Sequence, residues 1–418
     1  MNDPSWTPLV KATGKGRGPS LLHGGTILVL LLIVVWRLLL PALRQENFGI
    51  VSDAEGGLRI QDFAGNLAFA KAFWAGKASY DLESHLRLTS EWVGRPVQRA
   101  MPFNYSPTML WVLGPLCVLP TVWAYIFWTM LSAAAVWWVT RPGWSVWLLA
   151  VLFSPIGVVC FGLGQTSFLT TAAMLFLIVR DLGSEFQQHP VRRGASDWAD
   201  AVVLWALTAK PPVAVTSGVV FLARRRWRCI GLAVALGLLS TAVLLPRLGI
   251  HGLREYVQLM THSDVETGDP AFTWSLAPET MGNVRALLLV TFGVGDAAAS
   301  RWSSALWGVS LIGIVAAGLR RRLPVKALWA FAVLAYLLFC PHVSSTGELH
   351  LALVLALVSH ENQPMADVVR WVALGLVLVV VYLPPEIGPY RGVLRLPLIV
   401  AAKVLLGCLV ATRLLHSR

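Results

Sequence analysis

Charge is what this 418-residue chain has least of: Asp, Glu, Lys and Arg make up 13% of it and hydrophobic residues 56%. A soluble globular domain carries about 25% charged residues, so water is excluded as the solvent of most of its surface. Cysteine is sparse too. The five present, Cys117, Cys160, Cys229, Cys340 and Cys408, stand in or beside apolar runs without CxxC spacing, which indicates neither a disulfide framework nor a zinc site. There is no P-loop, no GxGxxG between strand and helix, no HExxH and no G-x-S-x-G elbow. Nucleotide-driven, zincin and serine-hydrolase chemistries therefore lose their support. Heptads, solenoid repeats and low-complexity tracts are absent as well.

Long apolar runs are what the chain has instead. A hydrocarbon core of about 30 Å needs about 20 apolar residues in a helix. Charges, Pro and Gly place spans near residues 24–43, 104–119, 121–140, 144–162, 165–180, 199–223, 229–247, 302–319, 325–340, 346–359, 371–384 and 395–415. The expected fold is all-α, a polytopic integral membrane protein of about twelve transmembrane helices in a single domain. The first run lacks a small-residue cleavage site and reads as a retained helix behind a cytoplasmic tail, residues 1–22. The net charge of +12 fits a positive-inside bias better than nucleic acid, because the basic residues cluster at Arg224–Arg228 and Arg320–Arg322, at the ends of apolar runs. That orientation leaves residues 44–103 and 248–300 as extracytoplasmic loops of a plasma-membrane (or inner-membrane) protein. Residues 181–198 fit least well. If Arg192 and Arg193 stay inside, residues 199–223 must be a helical hairpin turning at Lys210-Pro211-Pro212, and an upstream helix must change parity.

The first loop carries Phe63, Leu67, Ala70, Phe73 and Trp74 at helical spacing, the pattern of an amphipathic helix lying in the membrane interface. Asp62 stands at its start. Partial burial there can raise a carboxyl's pKa toward neutrality and suit it as a general base; the alternative is a plain helix cap. Lys210, inside the apolar stretch Ala206–Val215, needs compensation at membrane depth, either from an anionic partner such as a lipid phosphate or by snorkelling as an anchor. Gln165 follows Gly162-Leu163-Gly164, where it binds substrate or simply turns the chain. His342, Glu348 and His350 fall between two spans and can hold phosphate or protonate a leaving oxygen, unless they are merely solvated. Tyr105 is a substrate contact or an interfacial anchor. No cluster of Asp, Glu and His has metal-ligand spacing, and no cofactor is expected.

The order Gln61-Asp62-Phe63, Trp74-Ala75-Gly76-Lys77-Ala78-Ser79-Tyr80-Asp81, Pro102-Phe103-Asn104-Tyr105-Ser106-Pro107, Gly114-Pro115-Leu116 and Leu119-Pro120 resembles the N-terminal half of glycosyltransferase family 87. The likeness continues through Gly164-Gln165-Thr166-Ser167-Phe168-Leu169, Lys210-Pro211 with Arg224–Arg228, and Pro246-Arg247-Leu248-Gly249. It covers roughly residues 60–260. The family commonly has Tyr-Pro-Pro where this chain has Tyr105-Ser106-Pro107, and a more aromatic or acidic pattern at Ser344–His350. The resemblance implies a GT-C-type fold with interfacial helices in the first extracytoplasmic loop, and Asp62 as the base. It implies a hexose, mannose or a relative, on a polyprenyl-phosphate donor, with a lipid-linked glycan or glycolipid of the cell envelope as acceptor. Inverting transfer on the extracytoplasmic side follows, with Tyr105, Gln165, Lys210, His342, Glu348 and His350 toward donor phosphate and substrate. Two other classes remain open, a lipid-linked glycan flippase or transporter and a non-catalytic envelope-assembly subunit. The lack of an internal repeat and the placing of polar residues in outer loops favour the enzyme.

Overall fold

The computed structural model describes residues 50–52, 58–60, 62–77, 80–93, 103, 105–140, 157, 160, 164–186, 193–262, 281–343, 345–351, 353–354, 357 and 395–416. The expected spans 24–43 and 371–384, and most of 144–162, lie outside them. Among the described residues the regular structure is helical apart from one short antiparallel hairpin, β1 (Ile50–Ser52) with β2 (Leu58–Ile60), which registers Val51 against Arg59 just ahead of Asp62.

Helix α1 (Asp62–Trp74) realises the apolar spacing read from the sequence, but not as a one-faced helix on a lipid surface. Besides Phe63, Leu67, Ala70 and Phe73 it buries Ala64, Asn66, Phe69 and Ala72, because protein covers its other side too. Helix α2 (Leu82–Val93) and α3 (Pro107–Leu113), continued by a 3-10 segment Gly114–Val118, supply that cover. The Trp74 indole donates to Leu110 O at 3.2 Å, and Lys71 Nζ to Leu119 O at 2.7 Å. Residues 107–118 thus lie along α1 and do not cross from one end of the molecule to the other; the expected span at 104–119 is corrected. Pro107 and Pro115 within it, and Pro120 just past its end, deny backbone donors to a longer helix.

Helix α4 (Thr121–Thr140) starts beside α1, with Tyr125 and Trp128 packed on Phe63. Then α5 (Ser167–Phe186), α6 (Arg193–Leu207), α7 (Pro211–Ala223) and α8 (Trp227–His262, two helical pieces joined by a kink at Gly249) follow. At one end, Asp200 of α6 accepts from Arg180 of α5 at 2.5 Å and forms an ion pair with Arg226, just past α7, 2.8 Å away. Arg226 also meets Asp197 at 2.6 Å, and Arg224 stands 3.7 Å from Asp181. The foot of α6 and the end of α7 therefore share one end of the bundle. Residues 193–223 form a hairpin whose turn, Thr208–Lys210, is carried to the opposite end. The single span at 199–223 is corrected to the alternative that the positive-inside bias of Arg192 and Arg193 had offered, and the parity change falls on 104–119.

Helices α9 (Asp296–Leu319), α10 (Val325–Phe339) and α11 (Arg395–His416) complete the bundle. Helix α10 is buried almost all round. Gly318 of α9 meets Ala223 of α7 so closely that a Cβ on Gly318 would sit 2.5 Å from that of Ala223, the kind of small-residue joint that lets helix backbones approach. Lys403 of α11, buried, donates to Gly282 O at 2.7 Å and ties α11 to the turn ahead of Asn283. By contrast α8 and α9 are long and apolar enough to cross a membrane over Trp227–Gln258 and Asp296–Leu319. They expose Val234, Leu238, Leu239 and Val243, and Trp302, Val309 and Ile312, rows that suit lipid rather than water.

Candidate active site

At the end of the bundle away from the arginines, three chain segments meet. Asp62 is the first helical residue of α1. The residue is half-buried, and the surrounding protein strips water from its carboxyl and pushes its pKa up to about 7, against the weaker opposing pull of Lys210. Tyr105 and Cys160 lie within the field of the same carboxylate.

Lys210 occupies the position just ahead of α7 at the tip of the hairpin, with no side-chain bond to the helix, and is followed by Pro211 and Pro212. Proline at the first helical positions stops the chain from running straight through from α6 and turns it there. The Lys210 ammonium reaches Ser167 Oγ at 3.4 Å, at the start of α5, so two helix N-termini face one cation. Ser106 and Thr108 dock the other strand of the site onto the tip: Ser106 Oγ donates to Thr208 O at 2.6 Å, and the hydroxyls of Thr108 and Thr208 lie 2.9 Å apart.

The remaining expected residues divide. Tyr105 is buried with its hydroxyl 3.5 Å from Thr166 Oγ1, beside Asp62 and not at the protein surface. Gln165 is half-buried between Gly164 and Thr166. His350 is fully buried, close enough to Lys210 to feel its charge. Its Nδ1–H donates to Gly347 O at 2.8 Å and its Nε2 meets Thr170 Oγ1 at 3.2 Å, so both ring nitrogens are committed and the ring is not a solvated loop histidine. His342 is half-buried on the turn after α10. Glu348 lies on the 3-10 turn Ser345–His350, and its side chain is outside the described residues. Asp62 is thus brought near Lys210 and Tyr105, and Lys210 near His350; Gln165 enters through its place in the chain beside Thr166. Among the described residues no group of His, Cys, Asp and Glu could hold a metal ion.

Sequence reasoning missed the framework that holds this wall. His85 Nε2 accepts from Phe103 N at 2.9 Å while its ring stacks on Phe69 at 4.8 Å, which pins the strand leading to Tyr105. Asn283 donates to Cys340 O at 3.0 Å, and Arg285, paired with Asp296 at 2.7 Å, donates to Pro341 O at 3.2 Å. These two residues fix the turn that carries His342. No local motif announces such pairs, because their partners lie far along the chain.

The sequence model of glycosyltransferase family 87 matches residues 103–345, more than half of the chain. The chain belongs to glycosyltransferase family 87. No curated protein and no solved structure gives a match of its own. The protein is therefore a glycosyltransferase, which acts on a sugar donor and an acceptor, and its family is one of membrane enzymes. The matched region of this transferase takes in Tyr105, Gln165, Lys210 and His342. It begins after α1, so Asp62 enters through the geometry just described.

Proposed function

We propose that this transferase moves a hexose, mannose or a relative, from a polyprenyl-phosphate carrier to a hydroxyl of a lipid-linked or envelope glycan. The reading is supported by a carboxyl that burial pushes up to about 7 with Lys210 in its field, beside the buried Tyr105 and the contact of Lys210 with Ser167. Such a carboxyl is poised to exchange protons at neutral pH.

Asp62 takes the proton of the acceptor hydroxyl as that oxygen attacks the anomeric carbon from the face opposite the carrier. The carbon–oxygen bond to the phosphate breaks, the anomeric configuration inverts, and the phosphate leaves with the bonding pair. Lys210 meets that charge. Support comes from the fields of α5 and α7, whose N-termini both favour an anion. Pro211 and Pro212 lack N–H groups, so α7 contributes its dipole while the side chains of Lys210 and Ser167 supply the hydrogen bonds. A monophosphate departs already charged, and an obligatory metal is not part of the proposal. His350, with both nitrogens engaged, holds Thr170 and the floor of the site and leaves the phosphate charge to Lys210.

The cationic end, with Arg180, Arg224–Arg226 and Arg320–Arg322, faces the cytoplasm in this reading, as the positive-inside rule requires. The Asp62 end then faces outward in the plasma membrane, where nucleotide sugars are absent and a lipid carrier must bring the donor.

Purified protein incubated with radiolabelled polyprenyl-phosphate mannose and a membrane lipid extract should form labelled glycolipid of inverted configuration. Label that stays on the carrier, or only changes leaflet, refutes the proposal. Lys210→Ala is expected to raise the donor KM by about tenfold or more, in line with loss of a charge-assisted contact of about 1.5 to 3 kcal/mol. An unchanged KM assigns Lys210 to anchoring instead.

A further inference from the structure

Residues 164–167 form a short run that touches two of the three site groups, Tyr105 and Lys210, and the neighbour of the third, Asp62. Gly164 packs on Phe63, the neighbour of Asp62: a Cβ on Gly164 would stand 2.4 Å from Phe63 Cβ, 3.1 Å from its Cγ and 3.4 Å from the Tyr125 ring. Two residues on, Thr166 faces the Tyr105 hydroxyl, and Ser167 faces Lys210. One segment thus sets the spacing between the carboxylate, the phenol and the ammonium. The segment is itself held. Gly164 has φ +62°, where L side chains are strained, its carbonyl accepts from Trp128 Nε1 at 3.0 Å, and the next N–H, of Gln165, donates to Cys160 O at 2.8 Å. The Trp128 ring also lies 5.5 Å from that of Phe63, so one side chain grips both halves of the contact.

We propose that Gly164, clamped by Trp128, is a positioning residue that sets the depth of Asp62 in the site, because only a glycine lets Phe63 seat against the 164–167 run. A larger residue at 164 meets the stiff base of the Phe63 side chain, which cannot rotate away, and displaces the first turn of α1 toward solvent. The inference rests on Asp62 being the working carboxylate.

Labelling with dicyclohexylcarbodiimide, which reacts with protonated carboxyls in apolar surroundings, tests it on the full chain without any substrate. The Asp62 peptide is quantified by mass spectrometry across the neutral pH range. Wild-type protein should label half-maximally near pH 7; a wild type that labels only in acid removes the buried-carboxyl reading itself. Gly164→Ala should move the midpoint down, and a displacement of one pH unit reduces labelling at neutral pH about fivefold. Trp128→Phe keeps a ring against Phe63 but deletes the bond to Gly164 O, and should shift the midpoint the same way by less. A Gly164→Ala profile that overlays wild type overturns the inference. Should that variant fail to fold, Trp128→Phe decides alone, and a wild-type profile for it overturns the inference equally.

Discussion

An Asp62→Asn variant is expected to lose sugar transfer by about two to four orders of magnitude, the usual contribution of a positioned general base, without loss of fold. The amide matches the carboxyl in shape and cannot take a proton from the acceptor. The wild type should show the same group in its pH profile. With the carboxyl pushed up to about 7, kcat/KM falls about tenfold per unit as pH drops below that value, because the protonated acid is no base. Stability moves the other way. The folded pKa lies above the usual value of 3.8, so the folded state holds the proton more tightly than the unfolded chain. That contribution is complete below the unfolded value and is lost as pH rises to about 7. Thermal unfolding should therefore show a decline between pH 4 and 7 that Asp62→Asn lacks. A variant with wild-type turnover, or a wild type without an acid limb, removes Asp62 from the mechanism.

Asp200→Ala is expected to cost about 3 kcal/mol of stability, at the low end of what losing one partner of a buried ion pair costs. Asp200 is fully buried, accepts a hydrogen bond from Arg180 and pairs its charge with Arg226 as well. Those arginines keep 29% and 17% of their side-chain surface, so water can rehydrate them in part, which sets the lower figure. The loss is measurable as a fall in the denaturation midpoint in detergent. Function should suffer at a distance, because the network ties the two feet of the α6–α7 hairpin and Lys210 rides on its tip. A raised donor KM with little change in kcat is the expected signature. Asp197→Ala, which removes only one contact to Arg226, should do less on both counts.

The apolar runs of α4, α8, α9, α10 and α11 were legible because each is long enough to declare a helix on its own. Residues 104–119 and 199–223 misled for the same reason. Apolarity states that a segment avoids water but not whether it crosses, lies flat or turns back. Length and charge held the correction: the first run is short and broken by prolines, and Arg192 and Arg193 asked for the end of the bundle where the structure puts the foot of α6. For the candidate site, residue type and local setting left Asp62, Tyr105, Gln165 and Lys210 open between a site role and a cap, anchor or turn, and the family resemblance put them forward. The burial of His350 could not be read, since the 3-10 turn that seats it reads as an ordinary polar loop. Gly164 was quoted as part of a pattern, but its close contact with Phe63 spans 101 residues of chain and leaves no local trace.

Because the site's ammonium is delivered by two helical arms and not by a loop, the number of residues in those arms is constrained as tightly as their identity. Adding one residue to an arm advances the turn by about 1.5 Å and swings it by about 100°, away from Ser167 altogether. Only insertions near whole turns, made in both arms at once, would keep the phase. Among homologues this stretch should tolerate changed letters far more readily than changed length.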